Sequence, residues 1–109
     1  MPETQKEKEK SREKEKEKDR VYEKKVVIRN KLGLHARPAA LFVQTANRFQ
    51  SDVQVSKGRQ KVNGKSIMGI MTLAVGAGSA ITIRTEGVDA AKAMAELNKL
   101  ISSNFGGEE

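Results

Sequence analysis

The sequence predicts an α+β domain: an open-faced sandwich in which a four-stranded antiparallel sheet carries three helices on one face, in the order βαββαβα. Three observations predict this fold. Apolar residues alternate with polar ones in short strand-like segments, and they recur every three or four residues in the segments between them. A turn sequence around Gly58 joins two of the strand-like segments as a hairpin. The chain of 109 residues has room for one small core, which favours one layer of helices on one sheet.

Residues 1–22 are predicted to form a charged, disordered tail, followed by a single domain over residues 23–109. Within the tail, residues 6–20 alternate basic and acidic side chains almost residue by residue and offer no apolar side chain that could dock on a core. On a helix this alternation would place opposite charges at i,i+3 but like charges at i,i+4, so the two effects largely cancel.

The first half of the domain is predicted to contain three strands and one helix. Residues 25–29 form the first strand, and residues 52–57 pair through the Gly58 turn with a short strand that includes Val62. Residues 36–49 form an amphipathic helix. Its apolar stripe consists of Ala39, Phe42, Val43, Ala46 and Phe49.

The second half is predicted to contain two helices separated by a strand. Ser66 begins a helix that the glycines at 76 and 78 close, and residues 80–85 alternate as the last strand. Asp89 is a suitable N-cap for a final helix through Ser103. The inward-facing residues of that helix are predicted to be Ala90, Met94, Leu97, Leu100 and Ile101.

The composition restricts the classes of function. The chain has no cysteine, which excludes disulfides and thiolate chemistry and favours a reducing compartment, and it has no apolar run long enough to cross a membrane. A cytoplasmic protein that does not bind membranes is expected. The net charge is +7, yet only three phenylalanines and one tyrosine are present, so no stacking surface for nucleic-acid bases is expected.

The single histidine, His35, is the strongest candidate for a reactive group. It lies three residues before Pro38, whose missing N–H suits the first turn of a helix, so His35 is predicted to lie at a helix N-terminus. The unpaired amides and the positive dipole at such an end stabilise an anion, and Arg37 adds a fixed positive charge. An imidazole is mostly neutral at pH 7 and can act as a nucleophile.

Neither a metal ion nor a cofactor is expected at His35. The sequence contains no second histidine and no cysteine, and no acidic residue occurs between Ile28 and Ser51, so a metal would find no further ligands nearby in the sequence. An isolated histidine can also be a purely structural loop residue.

Two segments, NKLGLHARPAALFVQTANRF and KVNGKSIMGIMTLAVGAGSAITI, resemble HPr, the histidine-containing phosphocarrier family of the bacterial phosphotransferase system. The resemblance covers residues 25 to about 103. It implies that His35 accepts a phosphoryl group on Nδ1 from enzyme I, which phosphoenolpyruvate charges, and donates it to IIA domains of sugar permeases. Arg37 would stabilise the phosphoryl charge. Such a protein is a carrier acted on by enzymes and is not itself an enzyme.

The resemblance also implies a regulatory role for Ser66, which family members of the Gram-positive type carry in the same Ser-Ile-Met-Gly context. There, HPr kinase/phosphorylase phosphorylates the matching serine, which links the carrier to a catabolite repressor. Independently, Ser66 is expected to be a helix N-cap. Partners are expected to dock on the first two helices of a monomer, through Ala36, Ala40, Ile67, Met68 and Met71.

The sequence leaves two alternative functions open. The chain could be a regulatory binding module in which Ser66 is phosphorylated and His35 is idle. A related regulatory protein with glutamine in place of the histidine could not carry a phosphoryl group, and the presence of His35 argues against that class. The basic domain could instead bind nucleic acid, with an affinity that falls steeply with salt.

Overall fold

We describe residues 20–107 in a computed structural model of the protein. Helices and strands follow one another in the predicted order, and one short turn with left-handed backbone angles follows the last helix. The strands are β1 (Val21–Val27), β2 (Asp52–Lys57), β3 (Gln60–Asn63) and β4 (Ala80–Glu86). The helices are α1 (Ala36–Ala46), α2 (Ile67–Thr72) and α3 (Ala90–Ser102), and the final turn is α4 (Asn104–Gly107).

The four strands form one antiparallel sheet in the spatial order β1-β4-β2-β3. Alternation is clearest in β4, where Ile81, Ile83 and Thr85 are buried and the residues between them are not. A strand that buries every second side chain presents one face to the core and the other to solvent. The predicted α+β open-faced sandwich is therefore confirmed.

The core lies between the inner face of the sheet and the apolar faces of α1 and α3. Phe42 of α1 and Leu97 of α3 are fully buried there, together with Val55 of β2. Ala39 and Ala46 complete the buried stripe of α1 as predicted, but the helix ends at Ala46. The predicted end at residue 49 was wrong, because Asn47 caps the helix by donating to the Val43 carbonyl from both its backbone and its side chain.

The first strand lies earlier in the chain than predicted. It spans Val21–Val27 instead of residues 25–29, so Val21 and Tyr22, which were assigned to the tail, pair with Glu86 and Thr85 of β4. β1 is longer than predicted because each of its seven residues pairs with one of the seven residues of β4. The predictions for residues 1–19 fall outside the described residues.

The second helix is shorter than predicted. It ends at Thr72, four residues before the first of the two glycines that were expected to close it. Leu73 and Val75 are buried, and Ala74 between them has a left-handed φ of 50° that turns the chain toward β4. The glycine at 78 instead donates its amide to the Ile28 carbonyl, at 2.7 Å, beyond the end of β1.

The third helix begins after Asp89, as predicted, but the Asp89 side chain does not cap it. Its carboxylate accepts hydrogen bonds from the amides of Gln50 and Ser51, each at 2.9 Å, and from the Ser51 hydroxyl. Asp89 thus joins the segment before β2 to the start of α3. None of the helices within residues 20–107 is long and apolar enough to span a membrane.

Candidate functional site

His35 occupies the N-cap position of α1. Its backbone is extended, with φ −77° and ψ −174°, and its carbonyl accepts the first helical hydrogen bond, from the Ala39 amide at 3.0 Å. Pro38 is buried in the first turn, where a proline removes no needed donor. The N–H groups of a first turn point out of the end of the helix, so the predicted placement of His35 beside them is confirmed.

The imidazole of His35 is half-buried. Nε2 is enclosed by protein atoms. Arg37, two residues further along and within the first turn, has an exposed side chain. The ring is neither sealed in the core nor fully surrounded by solvent, which suits a group that exchanges a ligand with a docking protein.

The loop before His35 is fixed at both ends to the segment that follows α2. The Leu34 amide donates to the Val75 carbonyl at 2.8 Å, and the Ile28 amide donates to the Ser79 carbonyl at 2.9 Å. Gly33, with φ 66°, lies so close to Val75 that a side chain would not fit. The N-terminus of α1 is consequently held next to the C-terminal end of α2.

The other predicted phosphorylation site, Ser66, is the N-cap of α2. Its hydroxyl oxygen accepts a hydrogen bond from the Gly69 amide at 3.1 Å, and its carbonyl accepts one from Ile70. The predicted capping role is confirmed. Asn47, at the C-terminus of α1, donates its side-chain amide to the Lys65 carbonyl at 3.1 Å and so ties the segment before Ser66 to α1.

Together these contacts show that α1 and α2 lie side by side in opposite directions. His35 lies at the end where α1 begins and α2 ends, whereas Ser66 lies at the end where α1 ends and α2 begins. Eleven helical residues span about 16 Å. His35 and Ser66 are therefore separated by roughly the length of α1.

Between the two sites lies an exposed apolar surface, which we call the methionine patch and define as Ile67, Met68 and Met71. Their side chains are 39%, 72% and 40% exposed, whereas Ile70 on the opposite side of the helix is fully buried. Ala36 is exposed and Ala40 half-buried on the neighbouring α1. All five predicted docking residues thus lie on the two adjacent helices and reach the surface.

Two residues of the loop before His35 have an exposure that the sequence analysis did not predict. Leu32 is an exposed apolar side chain, at 69%, and Asn30 is a buried polar one, at 1%. The only sequence signal for the exposure of Leu32 is its position next to a loop glycine, and that signal is weak. Nothing in the sequence indicates that Asn30 is buried. Among residues 20–107 no group of three or more histidine, aspartate or glutamate side chains could hold a metal ion.

Comparison with known proteins identifies the family. Residues 22–103 match the family model described as PTS HPr component phosphorylation site. The HPr-like protein Crh of Halalkalibacterium halodurans is 59% identical over 75 residues, which cover 69% of this chain and 89% of that protein. The phosphocarrier protein HPr of Neisseria meningitidis serogroup A is 52% identical over 81 residues, which cover 74% of this chain and 91% of that protein.

Solved structures show the same fold. HPr from Thermoanaerobacter tengcongensis superimposes with a TM-score of 0.78 at 52% identity, covering 81% of this chain and 99% of that one. An HPr dimer from the same organism gives a TM-score of 0.64 at 54% identity, covering 74% and 93%. The relatives named phosphocarrier proteins are not enzymes. The chain belongs to the HPr family and has the general role of a phosphocarrier of the phosphotransferase system.

Proposed function

We propose that His35 is the phosphoryl acceptor and donor of this phosphocarrier. It receives the group from phosphorylated enzyme I and passes it to IIA domains of sugar permeases. The observation that supports this most directly is the N-cap position of His35, where the first-turn amides of α1 point toward an anion attached to the ring. The enclosure of Nε2 supports Nδ1 as the nitrogen that takes the phosphoryl group.

In this proposal Arg37 stabilises the phosphoryl group during both transfers. Its side chain is exposed and belongs to the first turn of the helix that His35 caps, which supports a contact between the guanidinium and a phosphoryl group on His35. A guanidinium pairs with two phosphate oxygens at once, which neutralises charge while the group moves between two proteins. Replacing Arg37 should therefore slow both transfers more than it weakens docking.

The methionine patch, with Ala36 and Ala40, is the proposed docking surface for enzyme I and IIA domains. Unbranched methionines adapt to differently shaped partners, which suits a carrier that must bind a donor and several acceptors in turn. The patch lies on α2, which packs beside α1, and in this proposal a partner seated on the patch also covers His35. Exclusion of water from the covered ring would limit loss of the phosphoryl group to hydrolysis.

A second candidate function is regulation at Ser66 by HPr kinase/phosphorylase, with docking of the phosphorylated form to a catabolite repressor. Its support is the half-buried Ser66 hydroxyl at the N-terminus of α2, beside the methionine patch. A phosphate there adds about 1.5 to 2 negative charges, which the helix end tolerates. Ser66 lies about the length of α1 from His35, so the charge would not act on the imidazole directly. It would act by repelling the acidic surface of a partner protein.

The decisive experiment is incubation of the protein with enzyme I and labelled phosphoenolpyruvate, followed by mapping of the label. The proposal expects an acid-labile, alkali-stable phosphate that His35→Ala abolishes and Ser66→Ala retains. A protein that enzyme I leaves unlabelled, but that HPr kinase/phosphorylase labels at Ser66 in a parallel incubation, would support a purely regulatory module with an idle His35. A protein that accepts no label but binds DNA or RNA with a steep salt dependence would support the nucleic-acid alternative.

We also propose that the protein is a cytoplasmic monomer and that it binds no metal ion, cofactor, membrane or nucleic acid. Light scattering after gel filtration measures the oligomeric state over a range of concentrations. A mass close to the 12.0 kDa of the chain supports the monomer, and twice that mass overturns it.

A further inference from the structure

Asn30 is a buried side chain whose amide has no hydrogen-bond partner among residues 20–107. The residue is 1% exposed, and both Nδ2 and Oδ1 are enclosed. Only its backbone is engaged, through the carbonyl that accepts the Gly33 amide at 3.0 Å. Buried side-chain amides are normally paired, so Asn30 requires an explanation.

An unpaired buried amide disfavours the state that contains it. Relative to a state in which the same amide is paired, the penalty corresponds to about a tenfold shift in population or more. An apolar residue of similar volume would not carry this penalty. Asparagine at this position therefore costs stability in the conformation described here.

The segment that contains Asn30 is joined to the rest of the domain by backbone hydrogen bonds at its two ends. Ile28 and Leu34 anchor its two ends by backbone hydrogen bonds to Ser79 and Val75, while the residues between them are held by the single turn from Asn30 to Gly33. His35 follows directly after the second anchor. A shift of residues 29–33 would change the surroundings of both the Asn30 amide and the imidazole.

We propose that Asn30 is a positioning residue for phosphoryl transfer. Its amide is unpaired while His35 is unmodified and gains a partner when His35 carries a phosphoryl group. The loss of the penalty then favours the phosphorylated form. This inference rests on the proposed role of His35 and adds to it a residue that sets how strongly the protein holds its phosphoryl group.

The test compares Asn30→Leu with the wild-type protein in one mixture. Equal amounts of both are equilibrated with a trace of enzyme I and limiting phosphoenolpyruvate, and intact-mass spectrometry measures the phosphorylated fraction of each. The proposal expects the phosphoryl group to favour the wild type about tenfold. It also expects Asn30→Leu to raise the urea midpoint of the unphosphorylated protein, because the penalty is removed.

Thr85→Val is the matched control. Thr85 is equally buried, but its hydroxyl donates to the Ala90 carbonyl at 2.9 Å, and it lies at the end of β4 that pairs with Tyr22, away from the loop. The control variant should have a lower urea midpoint than the wild type. In a mixture with the wild type, the two proteins should be phosphorylated to the same fraction. An equal share for Asn30→Leu, or a lowered midpoint, overturns the inference.

A direct observation separates failure of this inference from failure of the proposed function. The side-chain amide signal of Asn30 in ¹⁵N NMR should shift when His35 is phosphorylated, and its proton exchange should slow. If His35 accepts a phosphoryl group while the Asn30 signal stays unchanged, Asn30 is not a positioning residue although His35 is the acceptor. If His35 accepts none, both proposals fail.

Discussion

A Cβ atom added to Gly33 would lie 2.1 Å from the carbonyl oxygen of Val75. That oxygen accepts the hydrogen bond from Leu34, the residue just before His35. The position of the proposed acceptor thus depends on a glycine two residues earlier, through a contact with the segment after α2.

Replacing Gly33 by alanine is expected to destabilise the protein and displace the His35 loop. The left-handed φ costs about 1 kcal/mol with a side chain, and the clash with Val75 adds to this. Gly58→Ala is the control, because Gly58 has nearly the same φ, 60°, but open space around it. Urea unfolding and the rate of phosphorylation by enzyme I measure the two effects. Equal losses in both variants would show that the Val75 contact is unimportant.

Replacing Ser66 by alanine is expected to lower the free energy of unfolding by about 1 kcal/mol, because the Gly69 amide loses its capping partner. Ser66→Asp should retain most of the stability, since aspartate also caps helices and its charge suits a helix N-terminus. Urea unfolding checks both. Ser102→Ala, which removes an exposed hydroxyl bonded to the Lys99 carbonyl, is the control and should change stability little. A stable Ser66→Ala protein would contradict the capping role.

Placing a charge in the methionine patch is expected to weaken docking. Met68→Glu should raise the KM for transfer from enzyme I about tenfold, because burying the new carboxylate against a partner is costly, while the fold is unaffected at this exposed position. Val88→Glu is a matched control, since Val88 is 65% exposed and lies outside α1 and α2. Steady-state transfer assays compare the two. The same increase in both would place the docking surface elsewhere.

The Asp89 carboxylate is expected to make stability depend on pH. Partial burial opposes ionisation of Asp89, but hydrogen bonds from the Ser51 side chain and from backbone amides outweigh it and lower the pKa below its ordinary value of 3.8. A carboxyl with a lower pKa in the folded state stabilises the fold fully above the unfolded-state pKa and loses this contribution as pH falls through the folded-state value.

Asp89→Asn should therefore flatten the acid side of the stability curve. Urea midpoints measured from pH 7 down to pH 2 should fall less steeply below about pH 4 in the variant than in the wild type. Asp52→Asn is the control, because no comparable set of hydrogen bonds to Asp52 is seen within residues 20–107. Identical acid limbs for Asp89→Asn and the wild type would contradict the role of the carboxylate.

Local sequence patterns were sufficient for the order of the elements and for placing His35 and Ser66 at helix ends. Alternation identifies β4, helical spacing identifies α1, and the proline and serine near their starts place His35 and Ser66 at helix ends. These features depend on residues a few positions apart, so a single sequence contains them.

Features that depend on distant contacts could not be predicted in this way. The early start of β1 follows from its pairing with β4, about 60 positions away, and the side chain of Asp89 is drawn from its own helix to Ser51. Likewise, Ala74 adopts a left-handed conformation because its two neighbours are buried, although alanine has no preference for it. The burial of Asn30 also depends on contacts with residues that are distant in the sequence.

The helices that form the proposed docking surface contain very little charge. Arg37 is the only ionisable residue of α1, and α2 has none. While Arg37 is exposed to solvent, added salt screens its attraction to a phosphoryl group, but salt leaves contacts between methionines and an apolar partner almost unchanged. Ionic strength should therefore separate the two halves of the reaction: high salt slows the transfer of the phosphoryl group while the complex of carrier and partner still forms.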